Sequence, residues 1–235
     1  MKKRILPVFL LLATISLSAI DLPEMKKDTQ VFLNGLRTQN SGDTWARLSG
    51  MVRHRRRRRK DISAPLSFRT ILGSETIIAQ LIFRENESYM MTQARTEPYS
   101  SSIETKGTPT LEEVGLRPTD LVMEFVYWEC LGELKETVVG VQPCRVLLFK
   151  NPKADETVRV AASSAYGLPL RVQWFRKNSR DPFRTMEVTG VKKVNDLWVV
   201  EELAVSGPGW RTTANFNEAE AGYMKKGAPA DLFRE

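Results

Sequence analysis

The chain has 235 residues, 42% of them apolar, and its 35 Lys and Arg against 28 Asp and Glu leave a formal net charge of +7. That is enough apolar material for a real core, and beyond the N-terminus no run is long enough for a transmembrane helix. The one histidine, His54, excludes Ser-His-Asp or Cys-His machinery assembled across the chain.

Residues 1–19 read as a secretory signal peptide. Met1-Lys2-Lys3-Arg4 is a positive n-region, an apolar run extends from Ile5 to Ile15, and small residues follow at Ser16, Ser18 and Ala19. The run is too short to span a hydrocarbon core of roughly 30 Å, which argues against an anchor. Cleavage after Ser18 or Ala19 leaves one exported domain over residues 20–235, expected in the periplasm as a monomer. No cysteine follows the run, so no N-terminal lipid is expected. There, a basic chain meets anionic lipid or acidic polymers, and nucleic acid is not an expected partner.

Leu22 to Gln39 has loose helical spacing at Leu22, Met25, Phe32, Leu33 and Leu36, ended by Asn40-Ser41-Gly42-Asp43. From Trp45 to Lys106 the period becomes two. Ile77–Phe83, Tyr89–Arg95 and Ser100–Lys106 are strand candidates there, with Glu97-Pro98 marking an edge or turn. Pro118 and Thr119 open a helical island, placing Leu121, Val122, Phe125 and Trp128 on one face of a helix over Thr119–Trp128.

After Gly132 the pattern returns to strands: Glu133–Gly140, Cys144–Asn151, Glu156–Ala162, Leu168–Lys177, Phe183–Val194, Leu197–Ser206 and Arg211–Asn217. About eleven short strands without a βαβ rhythm predict a mainly β fold, one antiparallel sheet curled into a barrel.

Two cysteines, Cys130 and Cys144, permit one disulfide in an oxidising compartment. A hairpin at Gly140-Val141-Gln142-Pro143 places Cys144 opposite roughly Val138. Cys130 then lies on the order of 25 Å further along the ladder, beyond the reach of about 7 Å that a disulfide has, unless its loop folds back. No His/Cys cluster, Gly-rich loop or acidic loop has metal- or phosphate-site spacing, so neither metal nor cofactor is expected. Glu112-Glu113 and Glu201-Glu202 are adjacent pairs, poorly placed as acid/base couples if they lie on strands. No enzyme is expected.

The run Arg53-His54-Arg55-Arg56-Arg57-Arg58-Arg59-Lys60 has two readings. It is either an edge strand made repulsive by like charge, or a strip, Arg55, Arg56, Arg57, Arg58 and Arg59, that contacts an anionic membrane surface.

Several stretches, in order and spacing, resemble the outer-membrane lipoprotein-sorting protein family, the LolA-like periplasmic carriers. They are Asp120–Trp128 with Leu131-Gly132-Glu133, Thr137–Leu147, Val158-Arg159-Val160, Tyr166–Val172 and Val191–Trp198, with Trp45–Gly50 as the family's first strand. The resemblance implies an unclosed antiparallel β-barrel whose helices cover a concave apolar face that receives acyl chains. Leu121, Phe125 and Trp128 would form the underside of the lid, and Leu81, Phe83, Val172, Trp174 and Met186 the cavity wall. The same aromatics also fit a plain core plug. The implied function is a periplasmic carrier of acylated lipoproteins or lipids, with an inner-membrane transporter as a possible partner. A lipid-sensing or protein-interaction module of the same fold is the alternative.

Overall fold

The computed structural model describes residues 25–38 and 43–234. The expected signal peptide lies outside them, as do the first residues of the expected N-terminal helix. That helix, α1, is described over Lys27–Thr38. Asp28 in its first turn and Arg37 in its last both complement the helix dipole.

Twelve strands follow, one more than expected. The first five are β1 (Thr44–Arg56), β2 (Ile62–Leu72), β3 (Thr76–Phe83), β4 (Glu87–Ala94) and β5 (Ser101–Lys106). The others are β6 (Glu129–Val139), β7 (Gln142–Lys150), β8 (Glu156–Ser163), β9 (Leu168–Arg176), β10 (Arg184–Val194), β11 (Leu197–Gly207) and β12 (Trp210–Tyr223). They form one sheet in the order β5-β4-β3-β2-β1-β12-β11-β10-β9-β8-β7-β6, every pair antiparallel.

Two meanders thus join where β1 pairs with β12, and β5 and β6 remain unpaired edges of an open barrel. At the seam a bulge falls between Ser49 and Met51. A Cβ on Gly50 would lie 1.8 Å from the Asn215 carbonyl oxygen, so only glycine permits this approach of the two strands.

Period-two burial explains the strands. In β2, Ala64, Leu66, Phe68 and Thr70 point inward, and in β4 Glu87, Tyr89, Met91 and Gln93 do so. The main core draws on nearly every strand, including Leu81, Phe83, Phe149, Val172, Trp174 and Phe216. A smaller cluster gathers Val139, Cys144, Val146, Ala161, Leu168 and Leu170 from β6–β9, which accounts for strands there reading as apolar on both faces.

Three sequence expectations are corrected. The Thr119–Trp128 segment is not one helix but a single α-turn, α2 (Pro118–Leu121), and a 3₁₀ turn over Glu124–Tyr127. Met123 between them has φ 52, a left-handed conformation that no α-helix continues through. The arginine run does not lie on an edge, since β1 sits mid-sheet between β2 and β12. Cys144 pairs with Thr137 rather than Val138, and Cys130 with Phe149; both thiols are free.

Candidate functional site

The chain between β5 and β6 must pass from one open edge of the barrel to the other, and this crossing builds the lid. It comprises a 3₁₀ turn at Leu111–Val114, then α2, then the 3₁₀ turn at Glu124–Tyr127. Polar bonds clamp it at both flanks. On the first flank, Glu87 accepts the backbone N–H groups of Thr110 (2.8 Å) and Leu111 (2.9 Å), the Thr110 hydroxyl (2.7 Å) and the Tyr89 hydroxyl. Burial alone would raise the Glu87 pKa, but these donors outweigh it and hold the carboxyl below its ordinary range.

A relay fixes the next turn. Arg56 Nε donates to His54 Nε2 (2.6 Å), so His54 carries its proton on Nδ1 and donates to Thr212 Oγ1 (2.7 Å). Thr212 in turn donates to the Val114 carbonyl, and Arg56 Nη2 reaches the Glu113 carbonyl. Burial, and then the charge of Arg56, lower the His54 pKa.

Beyond it, Asp120 and Arg184 form a bidentate pair that is almost sealed from water. Asp120 also accepts the Arg117 N–H at 2.8 Å, and the Arg184 guanidinium lies 4.3 Å from the centre of the Trp174 ring. On the far flank, Arg37 of α1 donates to the carbonyls of Val126 (2.8 Å) and Trp128 (2.9 Å) and to the Tyr99 hydroxyl (3.2 Å). The helix is itself held on the sheet by Arg145. That residue bridges Glu133 and Asp28, while Thr29 donates to Glu133 at 2.6 Å.

Between the clamps, Leu121, Val122 and Met123 face an apolar cavity of about 190 Å³. Its floor draws on both sides of the seam, with Ala46 and Leu48 of β1, Phe68 and Leu72 of β2, Met186 of β10 and Phe216 of β12; Leu36 closes one side. The few charged groups on its wall, Arg37, Arg95 and Asp120, are drawn into the bonds just described or into Arg95's bonds to the Arg37 and Gly73 carbonyls. The Thr70 and Tyr127 hydroxyls on the wall are likewise engaged, donating to the Ile78 and Arg37 carbonyls, so the space is mainly hydrocarbon-lined.

Of the residues singled out from sequence, Leu121 and Met186 line this cavity. Leu81, Phe83, Val172, Trp174 and Phe125 are buried beside it in the packed core and are not among its wall residues. Phe125 meets the Trp174 ring edge-on at 5.9 Å. Trp128 is half-buried on the lid's exit and is also off the wall. Those aromatics fill the half of the barrel towards the β1–β2 and β9–β10 turns, whereas the cavity occupies the other half.

Trp198 was missed. It is 48% exposed, the one wall residue exposed to solvent, and it packs edge-on against Tyr166 at 5.4 Å. It marks the mouth, at the end where β2 turns to β3 and β10 to β11. Its only sequence signal is an aromatic two residues past the Asn195-Asp196 turn. Among the described residues no group of three His, Cys, Asp or Glu could hold a metal ion.

No family model matches the chain, and no curated protein matches it by sequence. Solved structures do. A DUF1329 family protein from Desulfovibrio piger aligns with TM-score 0.65 at 14% identity, covering 86% of this chain and 95% of its own. A domain described as an outer membrane lipoprotein-sorting protein from Vibrio parahaemolyticus gives 0.59 at 14% identity, with 85% and 93% covered. A LolA superfamily protein from Nitrosomonas europaea gives 0.50 at 10% identity, with 88% and 97% covered. At such identities the likeness concerns architecture alone, and the architecture of this chain is the LolA-like fold.

Proposed function

We propose that the protein is a periplasmic carrier whose apolar cavity holds the acyl chain of a lipoprotein or lipid. The observation that carries this reading is a hydrocarbon-lined space closed by a lid that is clamped at its flanks and apolar at its centre. The fold shared with lipoprotein-sorting structures supports it by analogy.

Magnitudes set the kind of ligand. Pockets for drug-sized molecules run about 300–1,000 Å³, so a space of about 190 Å³ admits a long chain only when Leu121–Met123 move outward. If opening breaks both carbonyl bonds of Arg37, it costs about 3–6 kcal/mol, since hydrogen bonds to charged groups contribute about 1.5–3 each. Burying a methylene returns about 0.8 kcal/mol, so roughly four to eight methylenes are needed before binding is favourable. Short-chain acids should fail and long-chain acids should bind.

The test uses protein exported with its own leader and purified without detergent. Mass spectrometry of the extracted lipid should find an acylated species near one per chain, and a fluorescent 16-carbon acid should bind where a 6-carbon acid does not compete. Ala46→Phe, which fills the floor, should abolish uptake while the circular dichroism spectrum is retained. No acylated species and no probe uptake by the folded wild type would overturn the carrier reading and leave a protein-interaction module.

A further inference from the structure

The hairpin between β1 and β2 carries the chain's densest charge, and the structure sorts its members. Arg56 is turned inward and used, bonded to His54 and to the Glu113 carbonyl. Arg57, Arg58, Arg59 and Lys60 stand exposed at the tip. The tip is ordered: Arg57 N–H donates to the Gly209 carbonyl at 3.0 Å, tying this turn to the one between β11 and β12.

Along β1, Arg53 and Arg55 point outward while Val52 and His54 point in. The register then does something costly. Arg55 lies directly opposite Arg211 of β12, and both are exposed. Like charges directly across an antiparallel pair destabilise a sheet.

Little in the fold offsets this. Asp61 is 3.5 Å from Arg55, both largely in solvent, and an exposed pair of that kind is weak. Among the described residues no carboxylate is within ion-pairing distance of Arg53, Arg57, Arg58, Arg59 or Arg211. An edge-protection role is removed as well, because β1 and β12 are the centre of the sheet. The result is a concentrated cationic surface, kept at a cost to the fold, in which only Arg55 has a carboxylate partner and that a weak one, so its charge is available to an external anion.

We infer that this corner, Arg53, Arg55, Arg57, Arg58, Arg59 and Arg211, docks the protein on a membrane surface bearing anionic phosphate headgroups. The partner is a surface rather than a single ion because Arg55, Arg57, Arg58, Arg59 and Arg211 stand exposed along the strand pair and its hairpin tip, while the hollow beside Arg53 also holds the Glu202 carboxylate, which opposes a bound phosphate. The cavity mouth at Trp198 lies at the opposite end of the barrel. Docking therefore leaves the mouth free for an acylated partner instead of pressing it into the bilayer, so the inference deepens the carrier reading without depending on a loaded cavity.

The experiment compares sedimentation of the wild type and a quadruple variant with vesicles of phosphatidylcholine alone or with one third phosphatidylglycerol. The variant is Arg55→Gln, Arg57→Gln, Arg58→Asn and Arg59→Gln. Asparagine is chosen at position 58 because φ there is 63. Arg56 is left intact because it holds the lid.

Each basic side chain near an anionic surface contributes about fivefold in affinity, so the variant should lose about 10²–10³-fold in low salt and less at 1 M salt, where the Debye length falls to about 3 Å. Arg211→Gln alone should lose about fivefold. The melting temperature should not fall in either variant.

Equal binding by wild type and quadruple variant, or equal binding to neutral and anionic vesicles, would overturn the inference. Retention on heparin or on an acidic peptide without vesicle binding would also overturn it, in favour of an acidic polymer. Uptake of the 16-carbon probe by the variant should be unchanged. Failure of uptake in the wild type would sink the carrier reading while leaving the vesicle result to stand on its own.

Discussion

Removing one member of the Asp120–Arg184 pair tests whether that pair pins the lid at α2. Their side chains are only 2% and 4% exposed, so solvent screens the pair little. Asp120→Ala leaves the Arg184 guanidinium buried on the Trp174 ring with the Gly115 carbonyl as its remaining polar partner. Breaking a buried pair from one side costs about 3–5 kcal/mol. The lost bond from Arg117 N–H is part of the same network and should not simply add. In a domain of this size 1 kcal/mol moves the melting temperature by roughly 2–4 °C, so a global loss corresponds to a fall of about 6–20 °C.

Should the lid open locally first, part of the loss appears instead as faster hydrogen exchange at the amides of Leu116–Met123, with a smaller fall in melting temperature. The double variant Asp120→Leu with Arg184→Met removes both charges and should recover most of the stability, because apolar replacement of a buried pair is often neutral or better. Urea unfolding together with hydrogen-exchange mass spectrometry reads both quantities. An Asp120→Ala variant within 1 kcal/mol of wild type with unchanged lid protection, or a double variant worse than the single, would refute the reasoning.

Phe125→Ala should cost about 3–5 kcal/mol in urea unfolding, as for an aromatic packed on all sides, since the ring is 2% exposed and meets Trp174. Leu121→Ala should cost less than the usual 2–5 kcal/mol, because one side of that side chain already faces a void; equal costs would place Leu121 in the core proper. His54 has a folded pKa below the ordinary 6.5, so the unfolded chain takes up the proton first. Its contribution is fully present above about pH 6.5 and lost as pH falls towards the lowered folded value, with a slope of at most about 1.4 kcal/mol per pH unit. His54→Gln should flatten that part of the profile, and parallel profiles for the two proteins would contradict the relay. Cys144 and Phe149, the partner of Cys130, are on one strand about 17 Å apart, and burial raises both thiol pKa values. Both thiols should therefore alkylate slowly at pH 7.5 and rapidly once unfolded, and an intramolecular disulfide in exported protein would show this register to be wrong.

Local periodicity placed many of the strands, though β12 runs to Tyr223, six residues past the expected Asn217, and β1 and β2 had no separate bounds. Alternation along Ile77–Phe83 and Leu168–Trp174, with turn residues at Asn178 and Asn195-Asp196, located β3, β9, β10 and the hairpins to within a residue or two. Such signals work because a strand buries every second side chain and a tight turn needs residues that tolerate positive φ, and both conditions are met within a few residues of chain. The pairing of β1 with β12 has no local signature. Its consequences, a mid-sheet arginine run and Arg55 facing Arg211, were invisible until the register was known. The break at Met123 was likewise hidden: Leu121, Val122 and Phe125 suit a helix, and only the geometry of crossing an open barrel between two clamps forces the backbone to turn there.

The cavity shows the limit most clearly. Apolar patterning reports which side of a strand avoids water, and it reads the same whether that side meets another side chain or a void. Leu81, Phe83, Phe125 and Trp174 were therefore indistinguishable in sequence from Leu121 and Met186. Which of them pack and which line a space depends on how far the sheet curls and where the lid is pinned, and the contacts that decide both join residues tens to more than a hundred positions apart.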